Sequence, residues 1–329
     1  MEITKLINQG LFDEDALKEQ FAIDVLTGLC ATPKNLAAKY FYDDIGSDIF
    51  QKITQHPDYY PTRTEFQILD AIKNDIPKVI GEEEIDIIEL GAGDCHKSKL
   101  ILDGFLDAGC KVNFYPIDIS EQAMILLQDN IASHPNLEVH GVVAEYFDGL
   151  RLVRKKSTNK QLVLFLGSNI GNFDRVQNQG FLRRLWMSLN ADDYALLGFD
   201  LKKDVDVLTA AYNDSSDHTR DFNLNLLTRI NTELGGNFDI NKFQHFGVYS
   251  PILGAMESYV LASESQDVYI SALKRSFRFE AFEPIHLEYS FKFLKSDIDF
   301  ICQKNGFDVV EHFTDPKEYF IDSLWKVEK

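Results

Sequence analysis

The sequence lacks features that would place it in several specialised classes of protein. Its four cysteines are widely separated and form no CxxC pair, so neither a zinc site nor a disulfide scaffold is indicated. No apolar run approaches the roughly 18 residues of a membrane-spanning helix, and the polar, acidic N-terminus is unlike a secretion signal. Basic residues are also few, since 33 Lys and Arg face 52 Asp and Glu, a net charge of −19. These absences predict a cytoplasmic protein with free thiols and without metal, nucleic acid or membrane partners.

The composition that is present suits a globular protein of about two domains, with 329 residues, 45% of them apolar, and 25 phenylalanines. Short apolar runs alternate with helical patterns through the middle of the chain. This alternation predicts an α/β fold, a doubly wound Rossmann-like sheet that is mostly parallel. The predicted strands are 85–90, 112–119, 137–143, 161–166 and 194–201, and the predicted helices are 64–76, 97–108, 121–133 and 176–189.

The alternation stops after residue 201, where a long helical pattern at 205–234 precedes extended stretches that indicate antiparallel strands. The first pattern then returns near the C-terminus. We therefore predict an α/β domain at 62–199 and 291–329, and a second, smaller α+β domain at 1–61 and 200–290. The extended stretches are 256–263, 267–273 and 279–293, and the returning elements are a helix at 296–305 and strands at 307–312 and 320–326.

A glycine turn follows the first predicted strand, in the segment GAGDCH at 91–96. Gly91 and Gly93 let the backbone approach a ligand, and the helix that follows offers free N–H groups. The dinucleotide fingerprint needs a third glycine where His96 stands, which argues against a nicotinamide cofactor. The segment ELGAGDC instead resembles the first motif of S-adenosylmethionine-dependent methyltransferases, and the alternative is a tight turn without a cofactor.

The ends of the next two predicted strands carry groups that suit the same cofactor. Asp118 ends the second strand, where a carboxylate can accept both ribose hydroxyls. Glu145 and Tyr146 follow the third strand, and they are candidates for the adenine region.

Several longer segments resemble one family, the histidine Nα-methyltransferases of ergothioneine biosynthesis. A fungal branch of that family methylates the amine of a prenylated tryptophan, so the resemblance does not by itself fix the substrate. The segments YYPTR and LGSNIGNF are the most specific. The resemblance rests on residues 39–65, 88–102, 164–173, 210–214 and 222–239.

The resemblance implies a small-molecule amino-acid substrate, S-adenosyl-L-methionine as cofactor, and methylation of the α-amine of L-histidine, up to the trimethylated betaine. Methyl transfer from a sulfonium mainly needs orientation, so we expect no dedicated catalytic base, and Tyr42, Asn172 and Tyr212 would position the amino acid. Glu288 and Ser290 would bind the imidazole. The implied cofactor positions are Gly91, Gly93, Lys97, Asp118, Glu145 and Tyr146, in the α/β domain, and the implied substrate positions are Tyr42, Tyr59, Gly167, Asn172, Tyr212, Glu288 and Ser290, mostly in the smaller domain.

The chain departs from the family pattern at three places. Glu145-Tyr146 stands for the usual Asp-Phe, Ser258 stands for a methionine of the imidazole pocket, and the loop at 217–219 lacks its usual glycine. Two other functions therefore stay open, which are methylation of another amine, such as a tryptophan derivative, and S-adenosylmethionine binding without catalysis. On local grounds Asn172 could instead cap the helix that begins near residue 174. The working expectation for the oligomeric state is a monomer.

Overall fold

The computed structural model of the chain describes residues 2–6, 14–93 and 95–329, and its contacts divide the chain into two units. The first unit comprises Arg63–Lys202 and Phe293–Lys329, together with the described part of Met1–Gly10. The second unit comprises Lys203–Lys292 and the described part of Leu11–Thr62.

Strands and helices are numbered separately in chain order. The strands are β1 (Glu2–Lys5), β2 (Lys34–Asn35), β3 (Glu84–Leu90), β4 (Lys111–Asp118), β5 (Leu137–Val143), β6 (Lys160–Phe165), β7 (Tyr194–Asp200), β8 (Phe243–Ser250), β9 (Ala255–Ala262), β10 (Gln266–Ile270), β11 (Arg275–Phe279), β12 (Pro284–Phe291), β13 (Phe307–Thr314) and β14 (Phe320–Val327). The helices are α1 (Glu14–Cys30), α2 (Asp44–Gln55), α3 (Tyr60–Ile72), α4 (Ile76–Ile80), α5 (Ser98–Asp107), α6 (Glu121–Asn130), α7 (Tyr146–Lys156), α8 (Arg175–Ser188), α9 (Val205–Tyr212), α10 (His218–Leu234) and α11 (Lys295–Lys304).

The first unit is built on one sheet with the strand order β1-β5-β4-β3-β6-β7-β14-β13. Neighbouring strands from β1 to β7 run parallel, whereas β14 is antiparallel to both β7 and β13. Six consecutive residues of β3, from Ile85 to Leu90, are buried, which requires cover on both faces of the sheet. The predicted α/β fold with a doubly wound, mostly parallel sheet is confirmed.

The strand order places a topological switch point between β3 and β6. From β3 the chain adds β4 and then β5 on one side, and it returns to add β6 and β7 on the other. The loops after β3 and β6 therefore lead away from each other and leave a crevice at the carboxyl ends of these strands. Ligands of open α/β sheets bind at such a crevice.

The second unit contains a four-stranded sheet of order β2-β12-β9-β8 and the antiparallel pair β10-β11. Strand β12 is antiparallel to β9 and parallel to the short β2, and β9 is antiparallel to β8. A core of large apolar side chains lies between these strands and helices α1, α2 and α10, with Phe41, Phe279, Leu226 and Ile285 fully buried.

Two long stretches of this unit proved to be divided. The helical pattern at 205–234 forms α9 and α10, with Asp217 in the left-handed region at φ 61° between them. The stretch at 279–293 contains the end of β11, a turn in which Phe282 has φ 63°, and β12. A single residue with positive φ ends a helix or a strand. Because such a residue does not change the apolar pattern on either side of it, the periodicity did not reveal these breaks.

The N-terminal strand β1 pairs with β5 in the first unit, although the sequence analysis placed residues 1–61 together in the smaller domain. A strand of four residues without alternation gives too weak a pattern to be assigned to a sheet. Strand β8 was also absent from the predicted elements. Within the described part of the chain, no helix combines the length and the apolar character that crossing a membrane requires.

Candidate active site

The glycine turn joins β3 to α5 at the switch point of the first unit. Gly91 has φ +75° and Gly93 has φ +52°, values that residues with a side chain rarely adopt. The Gly91 N–H donates to the carbonyl of Ile117 at 2.9 Å, which fixes the turn against the neighbouring β4. A Cβ on Gly91 would lie 3.0 Å from the Tyr146 hydroxyl oxygen, so this tyrosine faces the turn.

Asp118 ends β4 beside this turn. Its Oδ2 accepts from the Gly93 N–H at 3.2 Å, and its Oδ1 accepts from the Ser120 N–H at 2.9 Å. Burial raises the pKa of Asp118, although the backbone N–H groups at its oxygens oppose that shift. The carboxylate thus lies at the carboxyl edge of the sheet with further acceptor positions for hydroxyl groups.

Glu145 and Tyr146 begin α7, after the end of β5. Glu145 is exposed and occupies the N-cap position without a side-chain capping bond. The ring of Tyr146 meets those of Phe165 and Phe181 edge-on, with centroids 5.9 and 6.5 Å apart. Burial raises the pKa of Tyr146, so its hydroxyl keeps its proton. Both residues lie at the third strand end, where the sequence analysis expected them.

Glu65 of α3 connects two of the predicted site residues. It is fully buried, its Oε2 accepts from the Lys97 ammonium at 2.6 Å, and its Oε1 accepts from the Gly167 N–H at 2.6 Å. Burial disfavours the charge of Lys97, but the Glu65 carboxylate outweighs it, and the pKa of Lys97 is raised. Sequence reasoning missed Glu65, because an acidic residue on a helix is usually a solvated one.

Asp322 of β14 is a second buried carboxyl group in this cluster. Both of its oxygens are buried, and none of the described residues supplies a donor to them. Burial and the neighbouring Glu65 raise its pKa well above the ordinary value, while Lys97 opposes the shift. A proton on Asp322 lets it donate to Glu65, which two ionised carboxylates could not do. No local pattern indicates Asp322, which lies inside a strand whose other residues are mostly apolar.

The loop after β6 carries the LGSNIGNF segment. Gly167 and Ser168 are both left-handed, with φ 80° and 58°, and the Ser168 Oγ accepts from the Asp200 N–H at 3.0 Å. Asn172 is half-buried at the end of the 3₁₀ turn that follows. The alternative that Asn172 caps the next helix is wrong, because Asp174 caps α8 by accepting from two backbone N–H groups in a capping box.

In the second unit, three predicted substrate residues lie around a lysine that the sequence analysis did not single out. The Tyr212 hydroxyl donates to the Ser290 Oγ at 2.6 Å. The Lys292 ammonium donates to Tyr212 Oη at 2.9 Å and to Ser290 Oγ at 2.8 Å. Glu288 lies two residues before Ser290 on β12, and side chains at this spacing share one face of a strand.

Glu288 has a strongly perturbed acidity. Burial raises the pKa of its carboxyl to about 7, and the positive charge of Lys292 opposes that shift. Perturbed carboxyl groups of this kind are common at functional sites. The signal that could have found Lys292 is its place in the sequence EYSFK, where Glu288, Ser290 and Lys292 are spaced by two.

Ser258 lies directly opposite Glu288 in the pairing of β9 with β12, and it is buried. Directly paired residues have their Cβ atoms about 4.5–5.5 Å apart on one face of the sheet. The departure from the family pattern at Ser258 is therefore next to Glu288, and a methionine there would occupy space beside that carboxylate.

A row of aromatic rings joins the remaining predicted substrate residues. Tyr42 meets Phe50 at 5.4 Å between centroids, Phe50 meets Tyr59 at 6.4 Å, and Tyr59 meets Tyr212 at 6.3 Å. Tyr42 is 43% exposed, whereas Tyr59 and Tyr212 are half-buried. All three pairs are edge-on, so in each pair the edge of one ring meets the face of the other.

Polar contacts at the end of α9 fix the position of Tyr212. The carbonyl of Tyr212 accepts from His245 Nε2 at 2.9 Å, and Asn223 donates to Nδ1 of the same ring. Burial lowers the pKa of His245, so the ring is neutral in this tautomer. Asp214 then accepts from the N–H groups of the following loop, which includes the departure at 217–219.

Comparison with known proteins identifies the family of this chain. Residues 21–327 match the S-adenosylmethionine-dependent, histidine-specific methyltransferase family. The chain belongs to this family. The sequence-based predictions of the family, of S-adenosylmethionine as cofactor and of an N-methyltransferase are confirmed.

The relatives of this chain include bacterial and fungal proteins. The histidine N-alpha-methyltransferase of Mycolicibacterium smegmatis is 35% identical, over 94% of this chain and 96% of its own length. That of Mycobacterium tuberculosis is 32% identical over 92% of this chain and 93% of its length. Ergothioneine biosynthesis protein 1 of Schizosaccharomyces pombe is 30% identical over 86% of this chain but only 37% of its own length.

The residues at the switch point fit the cofactor of this family. Positive φ at Gly91 and Gly93 leaves the backbone open, and Asp118 presents a carboxylate at the same edge. These residues, with Tyr146 facing the turn, would hold the ribose and adenine of S-adenosylmethionine. The individual roles of the predicted site residues, including Lys97 and Glu145, remain predictions. Of the predicted substrate residues, Gly167 and Asn172 belong to the first unit and the others to the second.

Proposed function

We propose that this histidine-specific methyltransferase transfers methyl groups to the α-amino group of L-histidine, up to the trimethylated betaine. The observation that supports the proposal most directly is a cluster of polar side chains from one face of β12 and from the end of α9. There the Ser290 hydroxyl accepts from Tyr212, and the half-buried Glu288 lies two residues earlier on the same face of β12. The names of the two mycobacterial relatives support the same substrate.

The side chain of histidine suits Glu288 and Ser290 chemically. A neutral imidazole has one ring N–H and one ring nitrogen that accepts. The Glu288 carboxylate would accept from the N–H, and the Ser290 hydroxyl would donate to the other nitrogen. An amino acid with an apolar side chain would leave the carboxylate buried and unpaired, which costs about 1–3 kcal/mol or more.

The reaction needs orientation rather than a dedicated base. S-adenosylmethionine, when bound, supplies a methyl group on a positively charged sulfur that a neutral amine can attack. Asn172 and Tyr212 would hold the carboxylate and amine of the amino acid, so that the nitrogen lone pair is aimed at the methyl group. Each transfer to a primary or secondary amine leaves a methylated ammonium, which releases one proton to solvent before the nitrogen can attack again.

The aromatic row would hold the later products. A quaternary ammonium donates no hydrogen bond, but ring faces attract it. Tyr42 and Tyr59 would serve this purpose, because they belong to the row that leads to Tyr212.

Mass spectrometry of an amino-acid mixture incubated with the enzyme and S-adenosylmethionine tests the proposal. We expect methylated histidine as the main product, with trimethylated histidine at long times. Histamine, which lacks the carboxylate, should be a very poor substrate if Asn172 and Tyr212 anchor that group. Preferential methylation of tryptophan or phenylalanine over histidine would refute the assignment.

A second candidate substrate, a larger amine such as a tryptophan derivative, is favoured by one observation. Ser258 is buried opposite Glu288 and is much smaller than the methionine of the family pattern. The Ser258→Met variant separates the candidates, since added volume there should reduce methylation of a tryptophan derivative more than that of histidine. Equal effects on both substrates would show that Ser258 does not line the substrate pocket.

We also propose that the enzyme acts in the cytoplasm as a monomer, on a free amino acid and without nucleic acid. The support is the net charge of −19, which repels phosphate backbones, and four free cysteine thiols, three of them buried. Light scattering of the purified protein would establish the oligomeric state.

A further inference from the structure

Lys292 is a buried lysine beside the predicted substrate residues. Only 3% of its surface is exposed, and its ammonium bonds to Tyr212 Oη and Ser290 Oγ. It also lies 4.7 Å from the centroid of the Tyr212 ring. Lysine is almost never buried to this extent without a specific set of partners, and the bonds of the ammonium to Tyr212 and Ser290 offset part of the cost of burying its charge.

Counting donors and acceptors shows the effect of Lys292 on Ser290. A serine hydroxyl offers one donor and two acceptor positions. Lys292 fills one acceptor position at 2.8 Å, and Tyr212 fills the other at 2.6 Å, since a phenol is the better donor of the two hydroxyls. With both acceptor positions filled, Ser290 can only donate to a further group.

Lys292 also supplies positive charge to Glu288. Both residues extend from the same side of β12 and its continuation, and the ammonium lowers the pKa that burial of Glu288 raises. An ionised Glu288 can only accept hydrogen bonds, whereas a protonated one could also donate. Lys292 therefore favours one fixed polarity in each of the two groups.

We propose that Lys292 is a positioning residue that determines side-chain specificity. It makes Ser290 a donor next to the carboxylate acceptor of Glu288, so that together they select a ring with one N–H and one unprotonated nitrogen. This inference rests on the proposed function, because it explains how the histidine side chain is chosen.

The test compares L-histidine with 3-(2-thienyl)-L-alanine, whose ring has a similar size but neither an N–H nor a nitrogen acceptor. The quantity measured is the ratio of kcat/KM for the two substrates. In Lys292→Met we expect this ratio to fall at least about tenfold, mainly through KM for histidine, because a site with fixed hydrogen-bond polarity discriminates by orders of magnitude. Lys292→Arg keeps the charge and donors, and it should recover part of the ratio.

Lys34→Met is the matched control. Lys34 lies on β2 in the same sheet, is largely buried and pairs with the Glu283 carboxylate, but it is not among the predicted site residues. It should leave the ratio unchanged. Affinity for S-adenosylhomocysteine, whose predicted residues lie in the first unit, should be unchanged in all variants. Circular dichroism verifies that the second unit, which holds both substituted positions, is folded.

The outcomes separate this inference from the proposed function. If wild type does not methylate histidine, the proposed function fails. Suppose instead that wild type prefers histidine and that Lys292→Met lowers kcat/KM equally for both substrates, or for neither. Lys292 then has no part in specificity and the inference is overturned. Should Lys292→Met not fold, Lys292→Gln, which is polar but uncharged, carries the same expectation of a reduced ratio.

Discussion

At the scale of single residues, Glu288 is the group whose ionisation should control substrate use near neutral pH. Burial raises its pKa to about 7, so the carboxylate is present above this pH and is lost as the pH falls through it. The ionised carboxylate can only accept a hydrogen bond, which suits the imidazole N–H, whereas the protonated carboxyl could also donate. We therefore expect the advantage of wild type over Glu288→Gln, in kcat/KM for histidine, to shrink between about pH 8 and pH 6.

Comparing the two enzymes on one substrate cancels the titration of histidine itself. The measurement is the ratio of their kcat/KM values across the pH range. A ratio that does not change with pH would show that Glu288 does not titrate in this range or does not contact the ring.

Asp118 is the residue that should decide cofactor affinity. If its carboxylate accepts both ribose hydroxyls, Asp118→Ala removes two charge-assisted hydrogen bonds worth about 1.5–3 kcal/mol each. Affinity for S-adenosylhomocysteine, measured by calorimetry, should fall at least about tenfold. Unchanged affinity in a folded variant would exclude Asp118 from the cofactor site.

At the scale of secondary-structure elements, the start of α8 offers a direct comparison between neighbouring residues. Asp174 accepts from the N–H groups of Val176 and Gln177 at 2.8 Å each, whereas Asn172 caps no helix. Asp174→Ala should lower the free energy of unfolding by about 1 kcal/mol. Asn172→Ala should cost much less stability but should raise KM for histidine.

Thermal or urea unfolding measures the first effect, and steady-state kinetics measures the second. If Asn172→Ala destabilises the protein as much as Asp174→Ala does, then Asn172 has a structural role that the capping geometry does not explain.

The elements also differ in how far periodicity could reveal them. The strand at 137–143 was predicted with its observed bounds, because apolar and polar residues alternate over its first four positions and its last two residues are buried valines. The stretch at 205–234 hides a break at Asp217, since positive φ leaves the apolar pattern on either side intact. Strand β8 was missed, because six of its eight residues are only partly buried or are exposed, in an irregular order, and a glycine and a serine weaken the pattern.

At the scale of the whole molecule, the buried carboxyl pair of Asp322 and Glu65 should couple stability to pH. The pKa of Asp322 is raised in the folded state, so the native protein holds a proton that the unfolded chain loses above about pH 4. Its contribution to stability is complete below that pH and is lost as the pH rises toward the folded-state pKa. Asp322→Asn, which mimics the protonated form, should therefore gain stability relative to wild type as the pH increases.

Urea unfolding at about pH 5 and pH 8 measures this difference, which grows by at most about 1.4 kcal/mol for each pH unit. Both tryptophans, Trp186 and Trp325, lie in the first unit, so their fluorescence reports on the unit that contains Asp322. The exposed Asp192, whose pKa is lowered by its bond to Lys326, is the control. Asp192→Asn should give no trend above pH 5. A flat difference for Asp322→Asn as well would mean that Asp322 is ionised in the folded protein.

The sequence by itself determined the sheet, the glycine turn and the family, because these depend on local patterns. Each of these features determines the residue types at consecutive positions. This holds for a buried parallel strand, for a turn that needs positive φ and for a long segment that matches the family. The ends of successive strands also identified Asp118 and Tyr146, since carboxyl ends of parallel strands meet at one edge.

Only the tertiary structure decided which polar groups are buried together. Glu65, Asp322 and Lys97 come from distant parts of the chain, and nothing in their neighbouring residues predicts that a second buried carboxyl group lies near the Glu65–Lys97 ion pair. Lys292 likewise belongs to the polar cluster through its hydrogen bond to Tyr212, which is 80 residues away in sequence. The strength of charges and hydrogen bonds depends on burial and distance in space, and neither quantity is written in the order of the residues.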